Sequence, residues 1–326
     1  EPWWVGYTLE SLGHLANSIH EINKQKLYRK QSLAVRRKLG DLDGIAGSLV
    51  QVAWDADVEK AEELLHEALA INMELGDRLS AVFTFTALGL HWIWQGRFRE
   101  ARSLYRETLA TYSDLDFVGS GAMILGFRGL PDQYLGRYKA AREQAADAVA
   151  ILKNAKLGSA LFYAKDAIKI LGDVALAEGA YEEAENHFQE CLIVLHRHPQ
   201  SLCQALTGLG FAARGLSQIS QAQGYFCQSL HTAIDNIHFM ELVHALSGIA
   251  LLFVDQGNIE RAVELYALAS TYGLVANSKW HDDIAGDEIA AMAEELPIEV
   301  VEAAKARGRK LNLWETAEAL MVELEK

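Results

Sequence analysis

The sequence has few cysteines and few prolines. Its 326 residues include three cysteines, Cys191, Cys203 and Cys227, and no two of them form a Cys-x-x-Cys pair. An odd number without that spacing argues against a disulfide framework and a zinc ribbon, so we expect reduced thiols in a cytoplasmic protein. Four prolines suit a helical protein with short connections, because proline interrupts helices.

Basic residues and long apolar runs are also scarce. Lys and Arg number 30 against 44 Asp and Glu, which gives a net charge of −14. An acidic surface repels phosphate backbones, so we predict no direct contact with nucleic acid. No apolar run approaches the ~20 residues of a membrane-spanning helix, and the N-terminus shows no signal peptide, so we predict no membrane association. The sequence begins without methionine, and we expect it to be part of a longer protein.

The familiar catalytic motifs are missing. The sequence contains no P-loop, no His-Glu-x-x-His, no Gly-x-Ser-x-Gly and no EF-hand loop. We therefore predict that the protein is not an enzyme and has no catalytic residue and no cofactor. Two pairs at helical i, i+4 spacing, His187 with Cys191 and Cys227 with His231, could in principle hold zinc. The favoured interpretation is a small buried Cys191 beside surface histidines, with no metal site.

What the sequence has instead is an internal repeat. Alanines recur at steps of 40, 40, 43, 38 and 40 residues, at Ala61, Ala101, Ala141, Ala184, Ala222 and Ala262. Four of them are followed four positions later by an aromatic residue, namely Tyr105, Phe188, Phe226 and Tyr266. Four have a glycine twelve positions before them, namely Gly89, Gly129, Gly172 and Gly210. A small residue where two helices approach closely, beside an aromatic ring, is typical of helical hairpins, which we predict near residues 3–39, 43–75, 79–115, 119–156, 159–197, 200–236 and 239–272.

These residues resemble the tetratricopeptide repeat (TPR). The third copy is the best match, with Leu88, Gly89, Trp92, Gly96, Ala101 and Tyr105. The resemblance implies an all-α, right-handed TPR-like superhelical solenoid of about seven helix-turn-helix repeats over residues 1–272. The period departs from the common one of ~34 residues, and the usual terminal proline is absent.

The longer repeat is similar to that of the sensor arrays at the C-terminal ends of bacterial STAND-class signal-transduction NTPases and large LuxR-type transcriptional regulators. This resemblance implies a sensor domain that binds a ligand or a protein and regulates an upstream NTPase or a transcriptional output. The upstream NTPase domain of the same protein would then be a partner. The alternative is a constitutive protein-protein interaction scaffold with no switching role.

After Tyr272 the repeat stops. Residues 273–326 are expected to form a C-terminal helical cap packed on the last repeat, because the array would otherwise expose an apolar face. We predict a loop over 273–285 with Trp280 as an anchor, and then three helices over residues 286–295, 297–307 and 312–325.

The fourth repeat is glycine-rich in its first helix. It contains Gly119, Gly121, Gly126 and Gly129, followed by Pro131. An interior glycine costs ~1 kcal/mol against alanine and an interior proline ~3 kcal/mol, so we predict a kink or a break. It is either a local packing irregularity, or a hinge or a place where a ligand approaches the backbone.

The first helices of stacked hairpins line the concave surface of the array. Seven residues at inward positions are predicted to form a groove that binds a protein, a peptide or a small molecule: Phe83, Trp94, Tyr134, Lys169, Asp173, Phe211 and Arg214. Lys169 and Arg214 would place positive charge there and favour an anionic or zwitterionic ligand. The alternative is a solvated concave surface without a ligand.

Overall fold

The computed structural model describes residues 3–18, 21–115, 122–155, 158–195 and 199–324. These residues form helices joined by short turns, and they contain no β-strand. The all-α prediction is therefore confirmed. Within the same ranges, no helix combines the length and the apolar character that crossing a bilayer requires.

The described helices follow one another as seven hairpins. Their first and second helices are: α1 Trp4–Ser18 and α2 Ile22–Leu39; α3 Leu42–Ala53 and α4 Val58–Leu75; α5 Arg78–Trp94 and α6 Phe98–Thr111; α7 Ala122–Phe127 with α8 Leu130–Tyr134, and α9 Tyr138–Asn154; α10 Gly158–Ala177 and α11 Tyr181–Leu195; α12 Pro199–Gly215 and α13 Ile219–Asp235; α14 Phe239–Asp255 and α15 Ile259–Ala269. Those turns that lie within the described residues fall where the repeat predicts them.

Contacts divide the chain into two compact units. The first comprises Glu1–Trp92 and Glu100–Ile124. Its apolar core contains the buried side chains of Leu49, Leu65 and Leu88, and the partly buried ring of Phe83 packs against it. Phe83, one of the predicted groove residues, therefore contributes to the core of the first unit.

The second unit comprises Ile93–Arg99 and Leu125–Lys326, and its packing follows the repeat register. Ala184 and Ala222 are both completely buried. The ring of Phe188 lies so close to Gly172 that a Cβ there would be 2.8 Å from the ring, below any normal contact. The small residue and the aromatic ring therefore serve the purpose predicted for them, which is close approach of the paired helices.

The fourth hairpin is broken in its first half. Helix α7 ends at Phe127 and α8 begins at Leu130, so the predicted interruption is present. A Cβ on Gly126 would lie 2.6 Å from the backbone oxygen of Tyr163, which supports the packing interpretation at this glycine. Gly119 and Gly121 lie outside the described residues.

The C-terminal region is helical almost from its start. It consists of the following elements: α16 Gly273–Ala276, α17 Lys279–His281, a π-helical turn Asp282–Gly286, α18 Asp287–Ala293, α19 Ile298–Gly308 and α20 Leu313–Leu324. The loop predicted over 273–285 is therefore wrong, because short helical turns carry the chain there. Helix α19 packs on α15, and α20 packs on α13. The division at 272/273 into array and cap stays a prediction.

Candidate functional site

Residues 273–288, which we call the return segment, lie against one surface of the second unit. That surface, which we call the inner face, is formed by α8, α10, α12 and α14, with α10 beside α12 and α12 beside α14. It carries Tyr134, Asp173, Phe211 and His244, and all four contact Trp280 of the return segment.

Two glycines and a serine position the return segment. Gly96, in the turn after α5, has φ +75°, and Gly273 packs directly on that turn. A side chain on Gly273 would collide with the backbone oxygen of Gln95. Ser278 then caps α17, its hydroxyl accepting the backbone N–H of His281 at 3.1 Å. These local features bring the next two side chains onto the inner face.

Trp280 is the anchor of the return segment. Its side chain is 3% exposed, and the indole Nε1–H donates to the backbone oxygen of Asp173 at 2.7 Å. The indole meets the rings of Tyr134 and Phe211 edge to face, with centroids 6.1 and 6.4 Å apart. Such aromatic contacts stabilise by ~0.5–1.5 kcal/mol beyond the area buried. The prediction of Trp280 as an anchor agrees with this geometry.

His281, which is buried, and His244, which is half-buried, form a pair beside the anchor. Their ring centroids are 5.0 Å apart, and the Tyr134 hydroxyl lies 3.1 Å from Nε2 of His244. His281 is fully buried, and neither of its ring nitrogens has a hydrogen-bond partner. Burial, and then the positive charge of Lys169, lowers the pKa of His281 from 6.5 to about 3. Burial also lowers the pKa of His244 well below its usual value, so both imidazoles are neutral.

A row of buried polar groups crosses the inner face. Lys169 pairs with Asp173 one helical turn away, with Nζ and Oδ2 2.5 Å apart. Gln133 donates to the same carboxylate oxygen at 2.9 Å. Lys165 pairs with Asp166 at 2.6 Å. Burial raises the pKa of Asp173, and the ammonium of Lys169 opposes that rise.

Glu241 of α14 completes the row. It is 3% exposed and accepts hydrogen bonds from the side-chain amides of Gln200 at 3.0 Å and Gln204 at 3.1 Å. Burial raises the pKa of this carboxyl, while the hydrogen bond from Gln200 acts in the opposite direction. The inner face therefore holds several titratable groups away from water, as ligand sites commonly do.

A cavity of about 310 Å³, counting the space at its mouth, lies within this set. Its walls include Lys169, Gln204, Phe211, Glu241 and Trp280. A smaller cavity adjoins it, bounded by Lys165, Asp166, Lys169 and Gln204 among others. Concave spaces with apolar walls and a few convergent polar groups are the usual form of small-ligand sites.

Arg214 lies at one end of the inner face and is fully engaged. Its guanidinium makes a bidentate contact with Asp255, with both N–O distances 2.8 Å. It also bonds Glu288 of the return segment at 2.5 and 3.0 Å. Arg214 therefore ties the end of the return segment to α14 and is not available to an anionic ligand in this conformation.

The structure thus places the predicted groove residues in different surroundings. Tyr134, Asp173 and Phe211 contact Trp280, and Lys169 lines the same cavity as Asp173 and Phe211. Trp94, at the end of α5 in the second unit, is partly exposed. Whether these residues bind a ligand stays a prediction.

The contributors that the sequence reasoning missed include Lys165, Glu241 and His281. Glu241 stands one helical turn before His244 on α14, so a search for polar side chains at i, i+3 spacing would have found it. His281 offered no such signal, because its position depends on the path of the return segment.

The two suspected zinc pairs have other partners. Nε2 of His187 lies 3.6 Å from Glu183, and Nδ1 of His231 lies 2.9 Å from Asp235. Burial raises the pKa of the Cys191 thiol to about 12. Among the described residues, no three or more His, Cys, Asp and Glu side chains are placed to hold a metal ion.

Comparison with known proteins identifies the fold of the chain and nothing finer. No protein-family model matches the chain, and no curated protein matches it. Among solved structures, the Rap protein complexed with Competence and Sporulation Factor is similar over 99% of this chain and 100% of its own, at 12% identity and a TM-score of 0.61. BtubC from P. vanneervenii is similar over 67% of this chain and 92% of its own, at 16% identity and a TM-score of 0.50. At such low identity these likenesses support one conclusion, that the chain has a TPR-like helical-repeat fold.

Proposed function

We propose that this chain is a binding module whose inner face in the second unit recognises a polypeptide or a small ligand. The observation that carries the proposal is that this face already holds a piece of polypeptide, the return segment. It does so with a buried aromatic anchor and a main-chain acceptor, the indole of Trp280 on Asp173. A similar structure, the Rap protein, was solved with Competence and Sporulation Factor bound to it, which supports binding as the use of this fold.

The finer proposal is that binding regulates an upstream signal-transduction NTPase or a transcriptional output of the same protein. The buried titratable row beside a cavity supports a sensor, because a solvated scaffold surface has no need of desolvated charge. The sequence encoded upstream of Glu1 tests this part. A P-loop domain there is the expected result, and an unrelated or missing upstream domain would contradict it.

A constitutive scaffold is the second candidate, and one observation favours it. Trp3 and Trp4 at the start of α1, and Leu15 in its last turns, expose more than half of their surface. Exposed apolar residues that cluster are typical of protein contact surfaces. On this alternative, partner binding would map to the first hairpin and would be independent of the inner face.

A matched pair of substitutions separates the candidates. Gln204→Ala removes an inner-face amide that contacts Glu241, and Gln189→Ala removes an exposed amide on the second helix of the same region. Peptides enriched from a random peptide display library on the wild-type chain are the probes. We expect Gln204→Ala to weaken their binding by more than ~1 kcal/mol, as for residues at the centre of an interface, and Gln189→Ala to leave it unchanged. Equal binding to both variants would contradict the inner-face proposal.

A further inference from the structure

The buried charges of the inner face are unequal in number. Two ammonium groups, Lys165 and Lys169, are paired with two carboxylates, Asp166 and Asp173. The third carboxylate, Glu241, accepts hydrogen bonds from two neutral side-chain amides and makes no ion pair with any described residue. A buried carboxylate without a cation is costly unless it is paired or protonated. The face therefore carries an excess of acceptors over donors.

An unpartnered acceptor provides independent evidence for the same excess. Asp166 is 5% exposed, and its Oδ2 has no hydrogen-bond partner, although its Oδ1 bonds Lys165 at 2.6 Å. A buried acceptor left unsatisfied destabilises the folded state, so each native example calls for an explanation. Asp166 is a wall residue of the smaller cavity, so the residue that carries the unpartnered oxygen borders the space that the ligand would enter.

The unbalanced groups line two cavities that share wall residues. The larger one is bounded by Glu241 and the smaller one by Asp166, and Lys169 and Gln204 border both. The volume open to the centre of a water-sized sphere is about 20 Å³ in the larger cavity and about 10 Å³ in the smaller, which suits a group the size of one water molecule. A primary ammonium is of that size and presents three N–H donors and no acceptor, whereas a guanidinium is a broad plane with five donors.

We propose that the inner face binds a primary ammonium group of its ligand between Asp166 and Glu241. This inference rests on the proposed function, because it names the ligand chemistry of the same face. It reverses the charge expected from Lys169 and Arg214, since each of these cations is neutralised by carboxylates of the chain itself. The ammonium comes either from a free amine or from a peptide lysine, and the remainder of the ligand would lie toward the mouth of the larger cavity.

Four probes distinguish the sources and the charge. Butylammonium chloride represents a free amine, and sodium butyrate is its anionic counterpart. The capped peptide acetyl-Gly-Lys-Gly-amide represents a lysine side chain. Its norleucine analogue has the same four side-chain carbons and lacks the amine. Binding of each probe to the full chain is measured by calorimetry at pH 7 and in constant salt. We expect butylammonium and the lysine peptide to bind and to compete, and butyrate and the norleucine peptide not to bind.

Conservative variants locate the site. Glu241→Gln and Asp166→Asn each keep the shape of the side chain and remove its charge, so either one serves if the other fails to fold. We expect each to weaken binding of the ammonium probes by about ten- to hundredfold, the usual effect of losing a charged hydrogen-bond partner. The control is Glu182→Gln, on an exposed position of α11, which should bind as wild type does.

Several results would overturn the inference. The first is a preference for butyrate, and the second is equal binding of the lysine and norleucine peptides with no binding of butylammonium. The third is unchanged binding of the ammonium probes to both charge-removing variants. The fourth is no binding of any probe at any concentration, which would mean that the cavities hold water alone. Butylammonium binding without binding of the lysine peptide would support the site and assign it to a small amine. If no ammonium probe binds while library peptides still distinguish Gln204→Ala from Gln189→Ala, the inference fails and the proposed function stands.

Discussion

Removing the indole of Trp280 is the most direct perturbation of the second unit. The side chain is 3% exposed, contacts all four helices of the inner face and donates one hydrogen bond to Asp173. A buried tryptophan removes ~150–250 Å² from water, which at about 25 cal/mol per Å² is worth ~4–6 kcal/mol. Measured Trp→Ala costs of ~3–5 kcal/mol fall in the same range. We therefore expect Trp280→Ala to lower the free energy of unfolding by ~3–5 kcal/mol.

Two further variants divide that loss into its parts. Trp280→Phe keeps most of the apolar ring and removes the indole N–H, which leaves the Asp173 oxygen without that donor, so we expect a loss of ~1–3 kcal/mol. Trp3→Ala removes a tryptophan that is 68% exposed and should change stability by less than ~0.5 kcal/mol.

The assay is urea unfolding followed by circular dichroism at the helical band, because tryptophan fluorescence would change with the substitutions themselves. The free energies are compared at equal slope, since a changed slope would indicate a different denatured state. If Trp280→Ala unfolds within ~0.5 kcal/mol of wild type, the return segment does not stabilise the second unit, and the reasoning from its contacts is refuted.

Three more outcomes are expected. Burial holds the pKa of His281 at about 3 against 6.5 in the unfolded chain, so the unfolded state binds more protons between those values. The contribution of this group to the free energy of unfolding is therefore complete above pH 6.5 and falls by ~2 kcal/mol between pH 7 and pH 5. Urea unfolding at each pH should show that His281→Phe removes this part of the pH dependence and that His231→Phe does not. Ala184→Leu should overpack a fully buried helix crossing and cost ~1–3 kcal/mol; an unchanged melting temperature would show that the repeat register is wrong. Truncation after Tyr272 should remove the return segment and the helices on α13 and α15 and give a poorly soluble chain, whereas a soluble truncation with unchanged melting would contradict the cap.

The hairpins could be predicted because their signal is local and repeated. An alanine, and an aromatic residue four positions later, specify a helix that fits closely against its partner, and Ala184, Phe188 and Gly172 meet as this pattern requires. The return segment could not be predicted in the same way. Trp280 meets Asp173 at a separation of 107 positions, and such a contact has no period and leaves no trace in local spacing.

Some contacts between neighbouring repeats were predictable in principle. Side chains at equivalent positions of successive hairpins lie next to each other, so hydrogen bonds recur at separations near the repeat length. The separation is 40 for Gln133 with Asp173 and 41 for Arg214 with Asp255, and Gln200 with Glu241 is also 41 apart. Adding the period to each inward polar residue would have found these partners.

The same spacing is the basis for proposing that the inner face binds a cation, whereas the sequence predicts an anionic or zwitterionic ligand. The sequence places Lys169 and Arg214 on one face, and a cation counted alone predicts an anionic ligand. Lys169 has its acid four positions along the same helix, a spacing at which opposite charges meet, and Arg214 has its acid one repeat away. Once both cations are paired, the unmatched charge is the carboxylate of Glu241 on the larger cavity, and the unpartnered oxygen belongs to Asp166 on the wall of the smaller one. The sign of a repeat surface is therefore set by the residues that lack a partner at i+4 or one period away, rather than by the residues that are charged.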